Sequence, residues 1–187
     1  MCEYCGCRGV EPIAELMDEH SALADEAHEI RKALDDDDRD RTLALLMHLA
    51  GHLTRHTGRE EAGLFTALRD KAEFLDELGD LEGEHRHLDT ALAGLDPDTA
   101  DFGESVTRLL DELAIHIERE ELGVFPVSVV TLGVDGWDVV ERSRTKSPSF
   151  LLDPRTPEPG DERHAPRIPD RVVTAAPRHR TDSLQRP

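Results

Sequence analysis

The tightest constraint on this chain is its apolar period. Apolar residues recur every three or four positions over four segments, and six ionisable residues stand where the pattern calls for apolar ones. The first segment carries Ile13, Leu16, Leu23, Ala27, Ile30 and Leu34, with His20 on the same stripe. The second carries Leu49, Leu53, Leu64 and Ala67, and the gap in its stripe holds His56 and Glu60. The third has Leu78, Leu81, Leu88, Leu92 and Leu95 around His85. The fourth has Leu109, Leu113, Val124 and Val127 around His116 and Glu120. An acidic run, Asp35 to Asp38, closes the first segment, and Asp96-Pro97 closes the third.

The first pair of segments recurs in the second pair. At an offset of 65, Leu78 stands for Ile13, Leu81 for Leu16, His85 for His20 and Leu88 for Leu23. At an offset of 60, Leu109 stands for Leu49, Leu113 for Leu53, His116 for His56 and Glu120 for Glu60. The ten-residue windows starting at His56 and His116 share six residues. A duplicated helical hairpin packs most simply as an all-α, antiparallel up-down four-helix bundle with a two-fold-like interior. The expected organisation is a Cys-containing segment at 1–9, the bundle with one short capping turn near Gly136–Val140 at 10–141, and a tail at 142–187. Proline, arginine, aspartate and serine dominate that tail, which predicts disorder.

Charge narrows the partners. Residues 1–141 carry 12 Lys/Arg against 35 Asp/Glu, whereas 142–187 carry 10 against 6. An acidic body repels nucleic acid and anionic membrane, so neither is expected as a partner. No apolar run reaches the length of a membrane span, and Met1 to Gly9 do not read as a secretory signal. Cys2, Cys5 and Cys7 all lie in the first seven residues, so none staples the body. That usage fits a reducing cytoplasm, the expected location.

The six stripe residues call for a metal. A buried carboxylate without a partner costs several kcal/mol, out of the roughly 5–15 kcal/mol by which a domain is stable. A cation coordinated by neutral imidazoles and ionised carboxylates compensates directly. His56 and Glu60 are four apart, as are His116 and Glu120, so each pair lies on one helical face. The repeat sets the two pairs opposite each other, with His20 and His85 arriving from the other two helices. Four imidazoles and two carboxylates suit two metals bridged by both glutamates. Nitrogen and oxygen donors without thiolate suit iron or manganese and also accept zinc.

These residues fall in a recognisable order. Asp18-Glu-His20-Ser-Ala-Leu23, His56-x-x-x-Glu60-Glu-x-x-Leu-Phe65, Gly83-Glu-His85-Arg-His-Leu88 and His116-x-x-x-Glu120-Glu-x-x-Val-Phe-Pro126 resemble the hemerythrin family, in particular its bacterial HHE cation-binding branch. The resemblance covers roughly residues 10–130. It implies an antiparallel four-helix bundle with a non-haem di-iron centre and a bridging oxygen. By position it makes His20, His56, His85 and His116 terminal ligands and Glu60 and Glu120 the bridges. Oxygen-carrying members have a second histidine on the third helix and an aspartate ligand on the fourth. Here those places hold Asp89 and Glu120. That departure argues against simple oxygen carriage.

What the resemblance implies is a protein that binds O2, NO or peroxide for sensing or detoxification. Turnover of peroxide or oxidation of ferrous iron is the enzymatic alternative, and a metal-stabilised interaction module with a partner for the tail is the non-redox one. Among the other residues, His52 lies one turn before His56 as a fifth imidazole, a supporting group or a surface residue. His28, His48 and His87 are expected on the periphery. Glu61 and Glu121 are expected to face solvent or to bond a neighbouring helix, with support of the ligands as the lesser reading, and Phe65 and Phe125 to pack beside the site. Cys2, Cys5 and Cys7 resemble half of a zinc site with no second thiol pair to complete it, or a mobile terminus.

Overall fold

A computed structural model of the protein describes residues 6–153. It is helical throughout, and among the described residues there is no strand. Helix α1 (Glu11–Asp35) starts with Pro12 in its first turn, where the missing N–H has no helical partner to lose. The acidic run that follows makes the first corner. Asp37 takes a left-handed backbone (φ 53°), which aspartate tolerates better than most residues. Asp38 then caps α2 (Arg39–Glu60), its carboxylate accepting from the Arg41 N–H at 3.0 Å.

At Glu60 the α-helix widens into a π-helical turn, Glu61–Phe65, and tightens again as α3 (Thr66–Asp70). Helix α4 spans Leu75–Ala93, and α5 spans Phe102–Arg119. A second π turn, Glu120–Val124, follows α5 and leads into α6 (Phe125–Thr131). The two π turns sit within one residue of equivalent places in the two halves of the repeat. Gly133, at φ 60°, turns the chain into α7 (Gly133–Lys146), where the sequence predicts only a short capping turn.

Helix α1 packs on α2 and on α5, and α4 packs on the same two. Helices α1 and α4 each contribute to two separate apolar clusters, whereas α2 and α5 feed the second and the π turns, α3 and α6 that follow them feed the first. One gathers Ile13, Leu16, Met17, Phe65, Leu78, Leu81 and Phe125 with Val140 of α7. The other gathers Leu23, Ile30, Leu49, Leu53, Leu88, Leu109 and Leu113 with Phe150. Within α1 and α4, and from α2 and α5 into the π turns beyond them, the histidines and glutamates of the apolar stripe lie between one cluster and the other. The interior is therefore two apolar plugs with a polar layer between them.

Helix α7 lies across the first π turn and α3. A Cβ on Gly63 would stand 3.2 Å from the Ser143 Cβ, whereas one on Gly123, its equivalent in the repeat, would meet nothing within 4 Å. Beyond α7 the expected start of a disordered tail at 142 is corrected. The chain stays helical to Lys146, and Ser149 and the short 3-10 turn Phe150–Leu152 pack against the body. Phe150 stacks on His52 (centroids 4.3 Å apart), Arg59 donates to the Ser147 carbonyl at 2.9 Å, and Arg55 pairs with Asp153. Polar anchors and one aromatic hold this strap, which is why it shows no apolar period. Residues 154–187 lie outside the described part.

Cys7 departs from the mobile-terminus reading: it is buried in the core beside Ile13 and is disulfide-bonded. Cys2 and Cys5 lie outside the described residues.

Candidate metal centre

The structure brings all six stripe residues into one buried layer. His20, His56, Glu60 and Glu120 form one group of potential metal ligands, and Glu60, His85, His116 and Glu120 form a second. Within each group one donor atom per residue lies within 4.8 Å of the others. Both glutamates belong to both groups, so the layer is two four-residue sites sharing two carboxylates.

Every histidine turns Nε2 inward. His20 Nε2 is 3.2 Å from Glu120 Oε2 and 3.7 Å from Glu60 Oε1. His56 Nε2 is 3.3 Å from Glu60 Oε1, and His116 Nε2 is 3.4 Å from Glu120 Oε2, each across one helical turn. His85 Nε2 stands 3.6 Å from an oxygen of each glutamate and 3.0 Å from His116 Nε2. Both oxygens of Glu60, both of Glu120, and the Nε2 atoms of His20 and His56 are buried without a hydrogen-bond partner. A buried polar group left in this way costs about 1–3 kcal/mol, and more when charged, unless a proton or a cation engages its lone pair. A pair of cations fits the donor set: neutral nitrogens and ionised oxygens, no thiolate, all aimed at common points.

A second tier of carboxylates fixes the rings. The Nδ1 of His56 donates to Glu19 at 2.7 Å, that of His116 to Glu84 at 2.8 Å, and that of His85 to Glu61 at 2.8 Å. His20 Nδ1 reaches Glu121 at 3.4 Å. A proton held on Nδ1 leaves the Nε2 lone pair free for a cation and makes it a stronger donor. Two arginines extend the chain of contacts. Arg59 pairs with Glu19 and with Glu15, and Arg119 pairs with Glu84 and with Glu77. Phe125 stacks on His20 at 5.3 Å and Phe65 on His85 at 5.7 Å, so both phenylalanines pack beside the site as expected.

Electrostatics without a cation are uneasy. Burial pushes the Glu60 carboxyl well above its usual range, and the neighbouring Glu120 and Glu19 carboxylates add to this. Burial would raise Glu120 too, but the imidazoles of His20, His85 and His116 beside it hold it well below. One glutamate of the shared pair is thus disposed to be neutral and the other charged. Burial would likewise raise Glu19, but His56, Ser149 and Arg59 outweigh it and hold it low.

The remaining sequence candidates sort cleanly. His52 is not in the layer: it donates to Glu26 at 2.5 Å and stacks on Phe150. His28, His48 and His87 are exposed, His87 meeting Glu112 at 3.0 Å. Asp89 is exposed as well, so the third helix supplies one imidazole. Glu61 and Glu121 do bond neighbouring helices, and their partners are the site histidines. Glu19 and Glu84, which contact the site histidines, and Arg59 and Arg119 behind them are residues that period and spacing did not single out. Their one signal is that the repeat includes them: Glu precedes both His20 and His85, and Arg precedes both Glu60 and Glu120.

Comparison with known proteins agrees with this geometry. A family model described as "Hemerythrin HHE cation binding domain" matches residues 11–128. No curated protein and no solved structure matches the chain.

Proposed function

Because the chain belongs to the hemerythrin HHE cation-binding family, we propose that it holds two non-haem iron ions in the shared layer and uses them to bind O2, NO or peroxide, for sensing or detoxification. In this reading α1, α2, α4 and α5 form an antiparallel four-helix bundle. His20, His56, His85 and His116 are the terminal ligands, and Glu60 and Glu120 bridge. The observation that carries it is the sharing of both buried, unpartnered glutamates between two ligand groups. Two imidazoles and two shared carboxylates would hold each ion, and the metal pair would supply the affinity for a bridging oxygen and a small ligand. A ferrous pair supplies the electrons that O2 and peroxide take up. The chain's own residues hold the rings in one tautomer, close the layer with apolar side chains above and below, and exclude bulky ligands.

The test is metal analysis with an optical spectrum on protein purified in air. Two irons per chain and the near-ultraviolet and visible bands of an oxygen-bridged ferric pair are expected. Glu60→Ala and Glu120→Ala should each lose most of the iron, while His87→Ala keeps it. If both glutamate variants retain two irons, the bridging assignment is wrong.

A further inference from the structure

The ligand set is symmetric, but what surrounds it is not. Glu19 and Glu84 are equivalents in the repeat, each holding the Nδ1 of a site histidine, yet the Glu19 side chain is 0% exposed and that of Glu84 33%. Glu121 and Glu61 are also equivalents, at 12% and 40%. The arginines behind them differ in the same sense, Arg59 at 3% and Arg119 at 32%. All three differences seal the group of His20 and His56 and open the group of His85 and His116.

The cause lies in segments outside the repeat. The strap from Ser147 to Phe150 covers one side of the first group: Arg59 donates to the Ser147 carbonyl, and the buried Ser149 is among the groups that hold Glu19 low. Arg144 of α7 adds a bond to Glu15 at 2.7 Å, behind Arg59. The short turn Cys7–Gly9 packs on α1 and α6, and its Arg8 is among the charges that lower Glu121. Among the described residues no segment outside the repeat bonds Glu84, and only Arg119 and His116 do.

We infer that the two metal positions are inequivalent, and that the ion held by His85 and His116 is the one that enters and leaves, with the Glu84–Arg119 pair as its gate. This rests on the two-ion reading above. Losing an ion requires water at the donor atoms and a histidine free to turn. Glu84 and Arg119 meet water already, whereas Glu19 and Arg59 move only if the strap lifts. Glu84 is a positioning residue in this scheme: it acts on the ion through the His116 ring.

The test loads the full-length protein anaerobically with ferrous iron, measures stoichiometry, then mixes it with a chromogenic ferrous chelator. Two phases of equal amplitude are expected. Glu84→Gln should speed the fast phase by about tenfold, a typical cost of losing such a partner, and leave the slow phase alone. Phe150→Ala, which loosens the strap, should speed only the slow phase. A general loss of structure would move both. If Glu84→Gln does not load iron, Arg119→Gln, at a half-buried position, carries the same expectation. Two ions leaving in a single phase, or Glu84→Gln and Arg119→Gln acting on the slow phase, overturn the inference and leave the two-ion reading standing. A stoichiometry other than two overturns both.

Discussion

The imidazoles of His20 and His56 face each other edge to face at 4.6 Å, yet their surroundings drive them apart. Burial holds His56 down to about 4, against the Glu19 carboxylate, which pulls it up. Burial would lower His20 too, but the Glu120 and Glu121 carboxylates outweigh it and raise it. In the metal-free protein the two rings should therefore titrate on opposite sides of the ordinary imidazole range. A ring that is neutral when folded and takes up a proton when unfolded favours unfolding as pH falls. His56 thus contributes stability that is intact above about 6.5 and is withdrawn on the way down to about 4, on the order of 3 kcal/mol in all. The raised His20 contributes the opposite way, below the unfolded value and lost as pH rises through the folded one. Ring-proton NMR of metal-free protein checks this, and an ordinary midpoint for His56 would mean that water reaches it. The six stripe residues were legible in the sequence because each breaks a period. Their carboxylate partners were not, because Glu19 and Glu84 sit next to a histidine on the same helix, and neighbours in sequence point in different directions. Which carboxylate meets which imidazole depends on the register between helices, and one helix's period does not contain it.

Among the elements, the π turns and the strap are what the period failed to show. A π turn adds a residue to one turn and shifts the phase of the stripe, and a reading by threes and fours absorbs that shift without notice. Both turns start beside a shared glutamate, where the wider helix sets Glu61 and Glu121 toward the neighbouring helices. The strap escaped because composition alone predicts that a proline-rich stretch is loose, while a single buried Phe150 and the polar anchors at Ser147, Ser149 and Asp153 decide otherwise. Phe150→Ala should cost about 3 kcal/mol, the usual loss for a buried phenylalanine. A chain ending at Lys146 should lose at least as much, read as a lower urea midpoint with the helical signal retained. If the shortened chain melts with the full one, the strap's contacts do not outweigh the entropy of ordering it.

For the molecule as a whole, the layer of unpartnered donors between two apolar plugs ties stability to metal. A ligand that binds only the folded state stabilises by about 2.7 kcal/mol at a hundredfold excess over its Kd. For a domain of this length that is roughly 5–10 °C in Tm. Calorimetry with and without iron should show at least this gap, and equal melting temperatures would mean that the buried glutamates find other partners. The duplication itself was legible in the sequence, but the departures from it were not, since a repeat predicts likeness and these departures come from chain outside the repeat. Gly63 and Gly123 turn that departure into a matched pair. Alanine at Gly123 enters open space and should gain about 0.5–1 kcal/mol by reducing the freedom of the unfolded chain. Alanine at Gly63 makes the same gain but presses on Ser143, so it should gain less or lose. The gap between their urea midpoints reads out how firmly α7 is seated, with one half of the chain serving as the internal control for the other.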